Sequence, residues 1–376
     1  MSSIDYLKDF RNPQRISDIS KLINRDIDRR INIMEICGGH THTIMRYGLQ
    51  RLLPIEINFI HGPGCPVCVM PKERIDQAIA LAQGERNIVV TLGDLIRVPG
   101  SISSLQKERA KGKNIAVVYS PFDTISIAHQ NKDKNIIFIA IGFETTTPMT
   151  ASLIERVLSN KIKNVFFHIN HVMVPPPIKA IMIGAKIDAF IGPSHVSVIA
   201  GAKIYQELVT NYKTPVVVTG FEPVDVLDGV YRIVKQFKET KAEVEIQYNR
   251  AVTWEGNKTA QGLIDKYLDI KESVRWRGIG DIPKSGYCLK KEFSQIDAEI
   301  VFKEMLSYEP IDDHKLCICG DILRGIKKPF DCTVFGNACK PDSPIGACMV
   351  SNEGACSAYY KYYKGSALDP QRDSSL

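Results

Sequence analysis

Residues 135–148 read NIIFIAIGFETTTP, and the fold turns on the first half of that stretch. Ile136 to Ile141 form an unbroken apolar run that stops at Gly142. A strand with one wet face alternates apolar and polar residues. An unbroken run predicts a strand covered on both faces, as in a parallel sheet. Similar runs recur at 31–36 (INIMEI), 57–62 (INFIHG), 87–93 (NIVVTLG), 114–120 (NIAVVYS), 164–170 (NVFFHIN), 189–194 (AFIGPS) and 215–223 (PVVVTGFEP). Segments of helical character lie between them, such as ERIDQAIALAQ, MTASLIERVLSN and VSVIAGAKIYQELVTNY. The alternation predicts an α/β fold of two consecutive doubly wound parallel-sheet units, 31–134 and 135–240, facing a shared cleft. Residues 1–30 read as an amphipathic helical segment interrupted near Pro13. Residues 241–376 read as a helical, cysteine-rich region organised by metal.

The chain has 376 residues, 44% of them hydrophobic and 24% charged, which is the composition of an ordinary globular protein. No run approaches the roughly 20 apolar residues of a membrane span. The N-terminal segment is charged throughout and lacks a signal-peptide core, so a cytoplasmic protein is expected. The net charge of +6 is dispersed, with no basic and aromatic stripe, so neither nucleic acid nor a membrane is expected as a partner.

Ten cysteines then need an explanation other than a disulfide framework, because cytosolic thiols are kept reduced. Cys37, Cys65 and Cys68 come early, and Cys317, Cys319, Cys332, Cys339, Cys348 and Cys356 crowd the end. That distribution implies two separate cysteine chemistries.

In open parallel sheets, ligands bind beyond the carboxyl ends of the strands. Almost every run here ends in a polar loop marked by Gly or Pro: CGGHTH, HGPGCPVC, LGDLIRVPG, GFETTTP, INHVMVPPP, GPSHVS and TGFEP. Convergence of these loops would gather Cys37, His40, His42, His61, Cys65, Cys68, Asp94, Glu144, His171 and His195. In CGGHTH, Cys37 and His40 suit a transition metal or a nucleophilic pair, and the glycines leave room for another molecule at the sulfur. Cys65-Pro66-Val67-Cys68 suits a dithiol–disulfide couple or a zinc knuckle. Glu144 reads as a general base or as a helix N-cap. The terminal cysteines, without histidine and widely spaced, fit an iron–sulfur cluster better than zinc. Their local contexts favour Cys319, Cys332, Cys339 and Cys356 as ligands, with Cys348 in reserve and Cys317 last.

CGGHTH, GPGCPVC, GFETTTP and the ending GACMVSNEGACSAYYKYY, in that order, resemble the HypD family of [NiFe]-hydrogenase maturation proteins. The resemblance runs from about residue 31 to 363 and rests on several multi-residue motifs. It implies a scaffold on which the Fe(CN)2(CO) group of the hydrogenase site is assembled. The expected stable partner is the small chaperone HypC. Cyanide would arrive from HypE, with HypF upstream, and the hydrogenase large subunit would be served indirectly. Carried onto this chain, Cys37 would hold the iron jointly with a HypC cysteine, and His40 would ligate or orient. Cys65 and Cys68 would be the dithiol between that iron and a [4Fe-4S] cluster. A cluster-dependent reductase of disulfides or small molecules, using Cys65 and Cys68, is the alternative; it leaves CGGHTH without a role.

Overall fold

All eight apolar runs are parallel strands in the computed structural model, which describes residues 6–182 and 184–363. Residues 1–5 of the expected N-terminal segment and 364–376 of the expected tail region lie outside the described residues. The strands are β1 (Ile31–Glu35), β2 (Ile57–His61), β3 (Asn87–Leu92), β4 (Ile115–Val118), β5 (Asn135–Gly142), β6 (Val165–His171), β7 (Ala189–Pro193) and β8 (Val216–Thr219). A short β9 (Val244–Ile246) follows. They form two sheets, ordered β2-β1-β7-β8-β9 and β4-β3-β5-β6.

Double burial is plainest at β5. Ile136, Phe138 and Ala140 enter a core with Phe167 and with Leu153 and Ile154 of the helix Thr147–Ser159. Ile137, Ile139 and Ile141 enter another with Ile75 and Leu81 of the helix Lys72–Gln83. Alternate residues leave opposite faces of a strand, so an unbroken apolar run feeds two cores at once. Each large side chain removed from water contributes about 1.5–3 kcal/mol. The other sheet is covered in the same way: Ile31 and Ile33 pack on one side of β1, Met34 and Ile36 on the other.

The two units are not consecutive. The expected boundary at 134/135 falls inside one sheet, where β5 pairs with β3 and Ile136 lies opposite Ile88. Strands β3 to β6 are inserted between β2 and β7 of the other sheet, in which β1 pairs with β7 and Ile33 lies opposite Ala189. Apolar runs of one composition carry no mark of which neighbour each will take; helix packing over the crossovers decides that.

Local expectations also meet limits. Residues 196–212 are not one helix: Gly201, at φ 84°, separates Ser194–Ala200 from a 3-10 turn and the helix Gln206–Tyr212. A Cβ at Gly201 would lie 2.4 Å from the Trp254 carbonyl oxygen, so close packing against 254–256 accounts for the break. After 240 the chain is not simply helical. Beyond β9 it forms two antiparallel pairs, Leu268–Ile270 with Tyr287–Leu289 and Ser273–Trp276 with Gly280–Pro283. Strands of three or four residues are too short to show a period. Among the described residues, no helix is long and apolar enough to cross a membrane.

The strand order reverses between β1 and β7 in one sheet and between β3 and β5 in the other. Crevices form beyond the carboxyl ends of strands at such points.

Candidate functional site

Cys37 follows β1 and His195 follows β7, so the reversal sets them face to face. Cys37 Sγ lies 3.8 Å from His195 Nε2. Cys37 is also the N-cap of the helix Gly38–Arg46, and its sulfur accepts a hydrogen bond from the Gly39 N–H at 3.4 Å. Burial pushes the thiol well above its ordinary pKa, and the charge of Glu353 adds to this. A thiolate here therefore needs a bound cation to compensate it.

His40 is fully buried on the same helix. Its Nε2 lies 3.1 Å from the Gly220 carbonyl oxygen and 2.9 Å from the Thr219 hydroxyl. With Nε2–H donating to the carbonyl, Nδ1 is the acceptor nitrogen, and no partner reaches it. Burial, with repulsion from His195, holds the pKa of His40 down at about 3; burial holds His195 at about 4. Both rings are neutral near pH 7 and keep a lone pair for a metal. Phe221 stacks on His40, with centroids 4.5 Å apart, and leans on His195 at 5.0 Å.

The glycines of CGGHTH have a different use from the one expected. A Cβ on Gly38 would lie 2.0 Å from the Glu353 carbonyl oxygen, and one on Gly39 would lie 2.9 Å from the Phe221 ring. The space beside the sulfur is filled by the chain's own tail and by Phe221. A pocket lined by Gly39, His42, Phe221, Glu222, Asn352 and Glu353 opens just outside.

Gly64 brings the second motif to the first. A Cβ there would meet the Ile36 carbonyl oxygen at 1.5 Å and Cys37 Cα at 2.4 Å. The adjoining Cys65 and Cys68 are joined in a disulfide, 2% and 0% exposed, where the chain leaves one sheet for the other. The tail lies directly against this disulfide, with the Ala347 carbonyl oxygen 3.9 Å from Cys68 Sγ.

In the tail, Cys319 and Cys348 form a second disulfide. Of the expected ligands, Cys319 is thus paired with the reserve residue Cys348. Cys317, Cys332, Cys339 and Cys356 are free thiols. They lie close enough to feel one another: burial pushes the Cys356 thiol up, and Cys317, Cys339 and Cys332 push it further. The Ile345 N–H donates to Cys339 Sγ at 3.4 Å, and a Cβ on Gly346 would lie 2.5 Å from Cys317 Sγ. Local sequence context ranked Cys317 last; what distinguishes it is the glycine opposite, 29 residues on. Among the described residues, no three His, Cys, Asp or Glu side chains surround a point suited to a single metal ion.

Glu144, His171 and Asp94 follow or end the strands of the other sheet, and the charge of Asp94 reaches Glu353 beside Cys37. Glu144 Oε1 accepts from the Val174 N–H at 3.0 Å, while Oε2 is buried without a partner, and burial pushes the pKa up to about 7. His171 is fully satisfied, with Nε2 2.8 Å from the Thr150 hydroxyl and Nδ1 3.3 Å from the Gly142 carbonyl oxygen. Asp94 is paired with Arg97 at 2.8 Å. His61 and His42 fasten the tail helix Ala355–Tyr362: His61 Nε2 lies 2.9 Å from the Tyr359 hydroxyl, and His42 Nε2 lies 3.1 Å from that of Tyr362. His61 Nδ1 faces the buried Glu35, which also accepts from Thr41.

The HypD family profile, described as "Hydrogenase formation hypA family", matches residues 13–363. The chain belongs to the HypD family. A hydrogenase maturation factor HypD of Rhizobium leguminosarum bv. viciae is 45% identical over 368 residues, covering 95% of each chain. The HypD2 factor of Bradyrhizobium diazoefficiens is 44% identical, covering 95% of this chain and 96% of the relative. HypD of Escherichia coli K12 is 37% identical over 366 residues, or 95% and 98% of the two chains. Sequence motifs alone singled out Cys37, His40, Cys65 and Cys68, which the fold brings close together. They missed Phe221, Thr219 and Glu353, which touch the site from remote parts of the chain and carry no chemical signature of their own.

Proposed function

We propose that this chain is a hydrogenase maturation scaffold on which the iron group Fe(CN)2(CO) is assembled at Cys37. The observation that carries this reading is the meeting of Cys37 and His195 at 3.8 Å, with the partnerless Nδ1 of His40 on the adjoining helix turn. A soft thiolate beside neutral imidazoles suits low-spin Fe(II) as cargo. Cys37 holds the iron, and His195 and His40 ligate or orient it. A small partner of the HypC kind supplies a second thiol through the mouth at Gly39, Phe221 and Glu353. A partner of the HypE kind supplies cyanide, with HypF acting before it, and a hydrogenase large subunit receives the finished group. Glu144, whose pKa of about 7 lets it take or give a proton near neutrality, is the proton carrier at the second crevice.

Four free thiols, a glycine that makes room for Cys317 and a backbone N–H aimed at Cys339 fit a [4Fe-4S] cluster. Cys317, Cys332, Cys339 and Cys356 would hold it, and when bound it supplies single electrons. The disulfides Cys65–Cys68 and Cys319–Cys348 each accept two electrons and two protons to become dithiols. The first lies beside the iron site and the second beside the free thiols. The reductase alternative is less well supported, because it leaves the meeting of Cys37 and His195 without a role.

The test is the infrared spectrum of the chain co-purified anaerobically with its HypC-type partner. Bands of iron-bound cyanide and carbonyl are expected, and they should vanish in Cys37→Ala while the complex itself persists. Bands that survive in Cys37→Ala would sink the reading.

A further inference from the structure

Arg277 is a buried cation that the site described so far does not use. Its residue is 4% exposed, although arginine is rarely buried unless its charge is matched. Three contacts fix its place. Its backbone N–H donates to the Val69 carbonyl oxygen at 2.8 Å, just past the Cys65–Cys68 disulfide. The next residue, Gly278, is pressed on the turn after Cys319: a Cβ there would lie 2.3 Å from Gly320 Cα. Its guanidinium Nε donates to Asp313 Oδ1 at 2.7 Å, and Nη2 sits against the same oxygen. Arg277 therefore stands where both disulfides and the free thiols meet.

The guanidinium is only half used. Nη1 is buried without a hydrogen-bond partner, and Nη2, though ion-paired with Asp313, makes no well-aligned hydrogen bond either. A buried N–H of a charged group left unmade costs about 1–3 kcal/mol or more, so such a group points to a partner that completes it. Cys317 is tied to the same turn: its N–H donates to the carbonyl oxygen of His314, the neighbour of Asp313, at 2.8 Å. Cys317 is half-buried and has Gly346 on its other flank.

We infer that Arg277 is the electrostatic counterweight of the tail's metal–sulfur group and sets how readily that group takes an electron. The inference rests on the reading of Cys317, Cys332, Cys339 and Cys356 as cluster ligands. A [4Fe-4S] group with four thiolates is an anion, and its one-electron reduction adds a further negative charge without breaking a bond. A fixed cation beside such a group favours its reduced form. Asp313 is the brake in the same device, because it offsets part of the cation. Arg277 is thus a positioning residue that acts on the potential of the group and does not ligate iron.

The experiment uses the full chain, reconstituted anaerobically with iron and sulfide and titrated potentiometrically with electron paramagnetic resonance detection. Arg277→Met should weaken reduction at least tenfold, about 59 mV for a one-electron couple, with cluster content unchanged. Arg277→Lys, which keeps the charge but loses the fork, should shift it less. Asp313→Asn should move the potential the opposite way, which a merely structural ion pair would not do. Thermal melting of the metal-free variants checks the fold, and Asp313→Asn carries the test if Arg277→Met does not fold. Equal potentials in wild type and variants, or shifts of the same sign in Arg277→Met and Asp313→Asn, would overturn the inference. A wild-type chain that forms no cluster would overturn the ligand reading as well, and is told apart by the missing chromophore.

Discussion

The two sheets end in crevices of the same topological kind, yet they treat their polar residues differently. At the β3/β5 crevice, His171 is bonded at both nitrogens and Asp94 is paired with Arg97. At the β1/β7 crevice, Cys37 makes only long contacts to His195 and Gly39, and His40 Nδ1 has no partner. Topology locates both crevices, and the hydrogen bonding of their histidines separates them. A saturated histidine contributes to stability, whereas an unsaturated one retains the capacity to bind something.

That contrast can be broken most directly at glycines. Gly64→Ala should cost more than about 4 kcal/mol or prevent folding, because its Cβ would strike the Ile36 backbone oxygen at 1.5 Å. Gly142→Ala, at the other crevice, meets the movable Thr146 hydroxyl at 1.7 Å and should cost about 1–3 kcal/mol, at φ +150°. Urea unfolding of both variants checks the order; equal losses would remove the distinction.

Glu144 gives the next largest effect. Its pKa lies at about 7 in the fold against 4.5 when unfolded, so the native state holds the proton more tightly. Stability is greatest at low pH, falls as pH rises from about 4.5 to about 7, and is level above that. With each tenfold in proton affinity worth about 1.4 kcal/mol, the fall from this group is about 3 kcal/mol. Chemical denaturation at pH 5 and pH 8 should show it in the wild type and lose it in Glu144→Gln. A slope that persists in Glu144→Gln would assign it elsewhere.

Histidines sharpen the contrast further. His171→Ala should lose about 2 kcal/mol, since it strands the buried Thr150 hydroxyl, with iron bands in the co-purified complex retained. His195→Ala should lose less than about 1 kcal/mol yet weaken or shift those bands. The reverse pattern would exchange the roles of the two crevices. The smallest effect belongs to the tail helix Ala355–Tyr362. Tyr362→Phe removes the hydroxyl held at His42 and should cost about 1 kcal/mol or less. Because the tail packs on Gly38, alkylation of Cys37 by iodoacetamide should speed up a few-fold.

The sequence by itself determined the eight strands, the α/β class and the loops that carry chemistry. Those depend on local patterns: an unbroken apolar run can be buried on both faces wherever it pairs, and Gly-Pro loops must follow it. Tertiary structure decided the rest. The insertion of β3 to β6 between β2 and β7 came from strand pairing, which no single run encodes. Cys37 and His195 meet across 158 residues, and Cys319 pairs with Cys348 rather than joining the free thiols. The glycines of CGGHTH were legible as room, but only packing showed that Glu353 and Phe221 fill it. Contacts of that kind depend on where remote segments stop, and a residue's neighbours in sequence carry no record of that.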